Sequence, residues 1–345
     1  MTDDSTESTD CTESSEPQGT LAQAADPTLV LLLTLAQRLE QGQLVWLGTV
    51  LKTWTASAFP VGSLLALDSQ GQCLGATAPG EELRLMQQAL AAPDPSNLPR
   101  ILETQWQNGQ GETPGLPDTG HLILLLEPLK GEQDAKHIRQ LAQCLARRLP
   151  ATRRVLVASG QRELLPRSIP DLLEADRESL VHTLTPVCHM LLLGATQVSR
   201  QVGLLALNAG FAVTVCEPRE SVARHWQEAT LPLQQLPPDQ LVALECQDHY
   251  CAILALASDP EVDDPGLVAA MNTPAFYVGA LGCEQTHRQR KDRLYQMKIP
   301  SHWIGTIHAP IGFVIGSRTP AEHAIAILAQ VVAERHRRLQ RNSRL

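Results

Sequence analysis

Residues 189–217 constrain the architecture more than any other part of the chain. HMLLL reads as a short apolar strand, GATQV as a glycine turn into a helix over 198–208, and FAVTVC as a second apolar strand after Gly210 stops the helix. A strand apolar along its whole length must be covered on both faces, and parallel strands joined by crossover helices achieve that cover. Strands at 250–256 and 275–278 and helices at 264–271, 285–297 and 319–338 continue the alternation. The expected fold is therefore α/β. A Rossmann-like parallel sheet with helices on both faces fills residues 187–340, and a smaller α+β domain precedes it.

That first domain is expected over 26–158. Asp26 and Pro27 start a helix over 28–41 that Gly42 ends, and β-like runs follow at 44–54 and 62–67. A helix at 81–91, strands at 100–106 and 121–127, a helix at 132–148 and a strand at 154–158 complete it. Residues 159–186, with several prolines and charges, read as a linker. Residues 1–25 hold six acids in the first twenty positions and almost nothing apolar, so a disordered acidic tail is expected.

At 345 residues and 43% hydrophobic, the chain can bury two cores. It holds no run of eighteen apolar residues and begins acidic, which argues against a membrane span and a signal peptide. Eight cysteines are scattered without a CxxC pair, so reduced thiols and a cytoplasmic setting are expected. The end ERHRRLQRNSRL carries five arginines without interleaved aromatics, which reads as a solvated face rather than a nucleic-acid site.

The chemistry-bearing segments fall where strands end. In a full dinucleotide fingerprint, three glycines allow the turn, the approach of a pyrophosphate and close helix–strand packing. Here Gly194 remains, Thr196 and Ser199 fill the other positions, and Glu217 stands where a carboxylate takes a ribose hydroxyl. Nucleotide-like binding and a Rossmann unit that binds nothing both stay open. LASDPEVDD puts Ser258 and Asp259 at a strand's carboxyl end; Asp264 is expected to cap the next helix, while Asp259 stands between a ligand role and a structural one. YVGALG leaves a strand through Gly279 and Gly282. TIHAPIGFVIGSRTPAEHAIAILAQ places His308, Pro310 and Gly312 before a helix started by Thr319, Pro320 and Glu322. Loops of this composition form sites more often than cores. Cys246, His249 and Cys251 match no common zinc spacing, and no metal is expected there.

Taken in order, YVGALG, THRQRKDRL and IHAPIGFVIGSRTPAEHAIAILAQ resemble the signature of the xanthine dehydrogenase accessory (XdhC/CoxI) family. LASDPEVDD and the segment from LLLGATQ to CEPR resemble its Rossmann elements. GTVLKTWTASAFPVGSLLALDSQGQCLGAT and GLPDTGHLILLLEPL lie in the right order for its N-terminal half. The resemblance implies a homodimeric chaperone rather than an ordinary catalyst. It would bind molybdenum cofactor, as molybdopterin or its cytosine dinucleotide form, protect it during sulfuration, and pass it to the large subunit of a molybdenum hydroxylase. That client would be of the xanthine dehydrogenase or aldehyde oxidoreductase type, with a cysteine desulfurase as a further partner.

The residues carried over are Gly194, Thr196, Glu217, Ser258, Asp259, Gly279, Gly282, His308, Pro310 and Gly312, as the wall of one pyrophosphate-sized crevice; no catalytic residue is assigned. The chain departs from the pattern elsewhere. Glu81 and Asp118 stand where the family has cysteines, Ser258 where it has a histidine, and Val314 and Gln330 where it has an aspartate and a glutamate. Gly62, Gly75, Gly80 and Gly120 match the N-terminal loops, which are assigned no ligand. Two alternatives follow: a scaffold of the same maturation system that holds no cofactor, and an NAD(P)-dependent oxidoreductase, against which the two missing glycines count.

Overall fold

The computed structural model describes residues 26–342 apart from 56, 76–79, 93–96, 108–117 and 167–171. The expected acidic tail and parts of the loops at 55–62, 75–83 and 115–120 lie outside the described residues.

Helix α1 (Pro27–Glu40) begins as its sequence dictates, with the Asp26 carboxylate accepting from the amides of Thr28 and Leu29 and Pro27 in the first turn. Strands β1 (Val45–Lys52), β2 (Leu64–Asp68) and β3 (Cys73–Leu74) follow, then α2 (Glu81–Ala91), β4 (Arg100–Trp106), β5 (Gly120–Leu129) and α3 (Gly131–Ala146). The five strands form one antiparallel sheet in the order β3-β2-β1-β5-β4. Strand alternation sends Val45 and Leu47 toward Leu32 and Leu35 of α1 and Ile138 and Leu141 of α3. Trp46 and Val50 turn to the other face, against Met86 of α2.

Residues 159–186 are not a linker. Strands β6 (Ala151–Leu156), β7 (Arg162–Leu165), β8 (Leu173–Ala175) and β9 (Ser179–Leu184) make a second antiparallel sheet, ordered β7-β6-β9-β8. RELL and LEA are too short and polar to show a strand period, and their pairing with the largely buried β6 and β9 decides the matter. A buried ion network joins the two sheets. Arg153 donates to Thr49 Oγ1 at 2.7 Å and Glu127 Oε1 at 2.9 Å, and Arg162 donates to Glu127 Oε2 at 3.1 Å and Asp134 Oδ1 at 2.8 Å.

The C-terminal half bears out the α/β reading. Its order is β10 (His189–Leu193), α4 (Gln197–Asn208), β11 (Ala212–Cys216), α5 (Glu220–Ala223), β12 (Leu233–Gln234), α6 (Pro238–Glu245), β13 (Cys251–Ala255), α7 (Pro260–Ala270), β14 (Tyr277–Ala280), α8 (Glu284–Gln296), α9 (Ser301–Ile304) and α10 (Pro320–Asn342). The sheet is parallel throughout and ordered β12-β11-β10-β13-β14. Its two faces carry separate cores. Met190, Leu192, Val213 and Val215 pack with Val202 and Ala206 of α4 and Ala324 and Ile327 of α10. Leu191, Leu193 and Ile253 pack with Leu241 of α6 and Leu267 of α7. Each of these leucines contributes about 1.5–3 kcal/mol by leaving water.

One helix starts earlier than expected. Asp259, not Asp264, caps α7, because Pro260 supplies a first-turn residue with φ already fixed and the Asp259 side chain accepts from Glu261 N at 3.0 Å. Asp264 and Pro265 lie inside the helix. The two domains touch where Asp26 Oδ2 accepts Val187 N at 3.2 Å and where Arg148 pairs with Asp248.

Candidate functional site

In an open parallel sheet the crevice lies at the carboxyl rim, where the winding reverses, here between β10 and β13. Of the ten residues singled out in the sequence, eight lie in the segments beyond the strand ends at this rim, while Gly279 lies within β14 and is bridged to His308; they fall in two groups. The first surrounds the reversal. Gly194 leaves β10 with φ +97°, and a Cβ there would overlap Ala257 Cα in the adjoining turn, so only glycine fits. Ser258, in the same turn, also has positive φ, +56°.

Thr196 caps α4, its Oγ1 accepting Ser199 N at 3.1 Å. Ser199 Oγ donates its hydrogen to Gly194 O at 2.6 Å, so the 2.9 Å contact between the two hydroxyls makes Thr196 the donor. The hydroxyls at the two missing fingerprint glycines thus close the turn on itself. Close packing of the helix falls instead to Gly203, where a Cβ would meet Leu231 Cδ1, in the loop before β12, at 2.7 Å and Leu192 Cδ1 of β10 at 3.4 Å.

Glu217 is placed as expected but used differently. It is wholly buried. Its Oε1 accepts Arg219 N at 3.1 Å and Arg219 Nε at 2.7 Å; its Oε2 accepts Ala195 N at 3.0 Å and a second guanidinium nitrogen at 2.8 Å. All four acceptor positions of the carboxylate are filled, leaving none for a ribose hydroxyl. Burial alone would raise its pKa, and the hydrogen bonds from Arg219 and Ala195 overcome burial and hold it below the ordinary glutamate value. Arg219 also reaches Asp259 Oδ2 at 2.8 Å, bridging the crevice mouth. The guanidinium, raised by its hydrogen bonds to Glu217, faces two carboxylates. Sequence reasoning passed over Arg219, although the acid and base sit two residues apart in CEPR.

Beside this group opens a cavity of about 640 Å³, lined by Ala195, Thr196, Arg200, Ser221, His225 and Trp226 among others. Trp226 Nε1 donates to Leu231 O at 3.1 Å, and Arg200 pairs with Glu228 at 2.8 Å. The first-turn amides of α4, which lack intrahelical acceptors, face the same end of the sheet and favour a negative group. The volume is that of a small-molecule site.

The second group lies at the other end of the rim. His308 bridges Gly279 in parallel, its O accepting Ala280 N at 3.0 Å, and Ile311 N donates to Ala280 O at 3.1 Å. Residues 308–311 therefore extend the sheet past β14. The His308 ring stacks on Tyr277 with centroids 4.5 Å apart, and burial holds its pKa below the usual value. Pro310 follows a cis peptide bond. Gly312 N and Tyr277 OH both donate to Gln330 Oε1, at 2.8 and 2.6 Å, so the amide of Gly312 is engaged within the protein. Gly282 leads into α8 beside Thr286. The first group follows β10, β11 and β13 and the second belongs to β14 and the strip beside it; of the ten, Thr196 lines the cavity beside α4.

Comparison with known proteins agrees with this geometry. Residues 190–331 match the family model of the XdhC Rossmann domain. The chain is 26% identical over 161 residues to the uncharacterized protein YqeB of Escherichia coli K12, covering 44% of this chain. It is 32% identical over 88 residues to the molybdenum cofactor insertion chaperone PaoD of the same organism, covering 26% of this chain. Each match spans 28% of the relative's own length. A crystal structure from Bacillus halodurans, described as a xanthine dehydrogenase, superimposes with a TM-score of 0.66 over 90% of this chain and 96% of that one, at 17% identity, so the two share a fold. The likeness to the XdhC family thus rests on the Rossmann domain formed by residues 190–331.

Proposed function

We propose that this protein is an accessory factor in the maturation of a molybdenum enzyme, one that binds molybdenum cofactor and assists its sulfuration or insertion into the large subunit of a molybdenum hydroxylase. The observation that carries the reading is an XdhC Rossmann domain whose carboxyl rim keeps an open, partly polar cavity at the start of α4. The residues there suit the phosphate end of molybdopterin or its cytosine dinucleotide. The α4 amides and Thr196 would sit at the phosphate, Gly194 and Ser258 would shape the turn beneath it, and Arg219 would reach it by leaving Asp259. When bound, the cofactor would supply the molybdenum chemistry of the client enzyme; this chain's share is to hold it and keep water from it. Homodimerisation and a cysteine desulfurase partner belong to the same proposal.

A second reading has its own support. Ala195 N is taken by Glu217, Gly312 N by Gln330, and Arg219 by two carboxylates, so donors that a bound phosphate would need are engaged internally. On that reading the chain is a scaffold that meets the client without holding the cofactor. Gel filtration of the protein mixed with molybdenum cofactor, followed by pterin fluorescence, separates the two. Co-elution that is lost in a Thr196→Arg variant supports binding at this cavity. Capture of a hydroxylase subunit with no pterin supports the scaffold, and neither result would end both readings.

A further inference from the structure

The amino-terminal rim of the Rossmann sheet, opposite the cavity, gathers a second set of side chains. His189 opens β10 and pairs in register with Cys251, which opens β13, so their side chains leave the sheet on one face. Cys246 ends α6 and packs over that face. One ring nitrogen of His189 and the sulfurs of Cys246 and Cys251 lie within 4.8 Å of one another, and all three residues are buried. The metal trio weighed in the sequence, with His249, is not the one formed. His249 is exposed and turns its Nδ1 to Pro274 O at 3.2 Å, while a histidine 57 positions before Cys246 takes the place.

The surroundings are those of a ligand set rather than an inert core. Glu245 brings its Oε2 to 3.3 Å from His189 Nε2, and that oxygen is buried without a hydrogen-bond partner. Thr214 Oγ1 holds the same ring nitrogen at 3.0 Å, and Cys251 Sγ lies 3.5 Å from Asp248 Oδ1. Asp248 is fixed in turn by Arg148 from the N-terminal domain. A cavity of about 180 Å³, lined by Arg148, His189, Glu245 and Asp248 among others, gives an approach from the surface.

We infer that His189, Cys246 and Cys251 bind zinc. Thiolate and imidazole are the donors this ion selects, and zinc–sulfur bonds of about 2.3 Å need the trio to close by at most about 1.3 Å. Two thiols release their protons to solvent on binding, and one doubly charged cation with two thiolates and a neutral imidazole leaves no net charge in the buried trio. The ion would fasten the loop between α6 and β13 to the start of β10, beside the Arg148–Asp248 contact between the domains. The inference is independent of the cofactor reading.

The test uses full-length protein purified anaerobically with reductant, stripped with chelator, and titrated with zinc or cobalt(II) chloride. The expected result is about one metal ion per chain, a thiolate-to-cobalt charge-transfer band, and a raised melting temperature. Cys246→Ser and Cys251→Ser should lose the band and bind zinc at least about 100-fold more weakly. Cys188→Ser should keep both, with circular dichroism of the metal-free variants confirming the fold. Less than about one tenth of an equivalent bound by fully reduced protein overturns the assignment. So does undiminished binding in the Cys251 variant, or a disulfide joining Cys246 to Cys251 in protein isolated under reductant.

Discussion

At the scale of single residues, Gly194 shows how a site can be built from backbone alone. Its φ of +97° would strain any side chain, and its Cβ position is already occupied by the Ala257 backbone, which cannot swing aside. Gly42 has φ +76° with nothing within 4 Å, so it carries the conformational part of the effect without the overlap. Gly42→Ala should cost about 1 kcal/mol, and Gly194→Ala at least about 2 kcal/mol, read as shifts in urea midpoint. Equal costs at the two positions would mean that the turn at Ala257 yields. Glu217 teaches the complementary point. Its position was legible from its spacing after Gly194, but its use was not, because only the fold brings Arg219 and the Ala195 amide to the same carboxylate.

Among the elements, the segment from His308 to the start of α10 depends on one side chain. Gln330 Oε1 accepts from both Tyr277 OH and Gly312 N, joining β14, the 308–312 strip and α10. Beyond that anchor the strip leads into an apolar tip, with Phe313 at 42%, Val314 at 102% and Ile315 at 54% exposure, so it is left open among the described residues. Gln330→Ala removes the acceptor from two donors, a change worth about 1–3 kcal/mol locally. Amide exchange over 308–316 should then speed by about tenfold or more, while Gln330→Glu, which keeps an acceptor oxygen, should stay near the parent rate. Equal exchange in all three proteins would show that the backbone bonds to β14 and Ala326 and the packing of Ile311 hold the strip without Gln330. Element type was readable wherever apolar runs were long: α1, α4, α10 and the strands β10, β11, β13 and β14 fall within a few residues of expectation. The strands β7, β8, β9 and β12 and the helices α5, α6 and α9 were missed, because they are short, their own residues carry little period, and their neighbours order them.

For the whole molecule, buried histidines set the response to acid. Burial, aided by the Arg153 charge, lowers His137 to about 4 and His182 to about 3, and burial lowers His189 to about 4. The unfolded chain protonates these rings near 6.5, so between that value and about 4 it binds more protons than the folded protein, and stability falls as the pH drops. Asp263, raised by burial to about 6, and Glu245, also raised by burial, hold protons in the folded state and oppose the trend. The balance favours the three histidines, giving a loss on the order of 1–2 kcal/mol per pH unit near pH 5. Urea midpoints at pH 7, 6 and 5 should decline, and His182→Gln should flatten the decline; a constant midpoint would refute the assignment of these rings as buried and neutral. No helix among the described residues is long and apolar enough to cross a membrane. What the sequence alone determined is the α/β layering, since strands apolar throughout can be covered only by crossover helices, together with the places where glycines end those strands. Which polar groups meet was decided by tertiary structure. Arg219 over Glu217 and Asp259, Gln330 under Gly312, and His189 beside Cys246 and Cys251 are pairings between distant positions, set by strand order and register, and local periodicity carries no record of them.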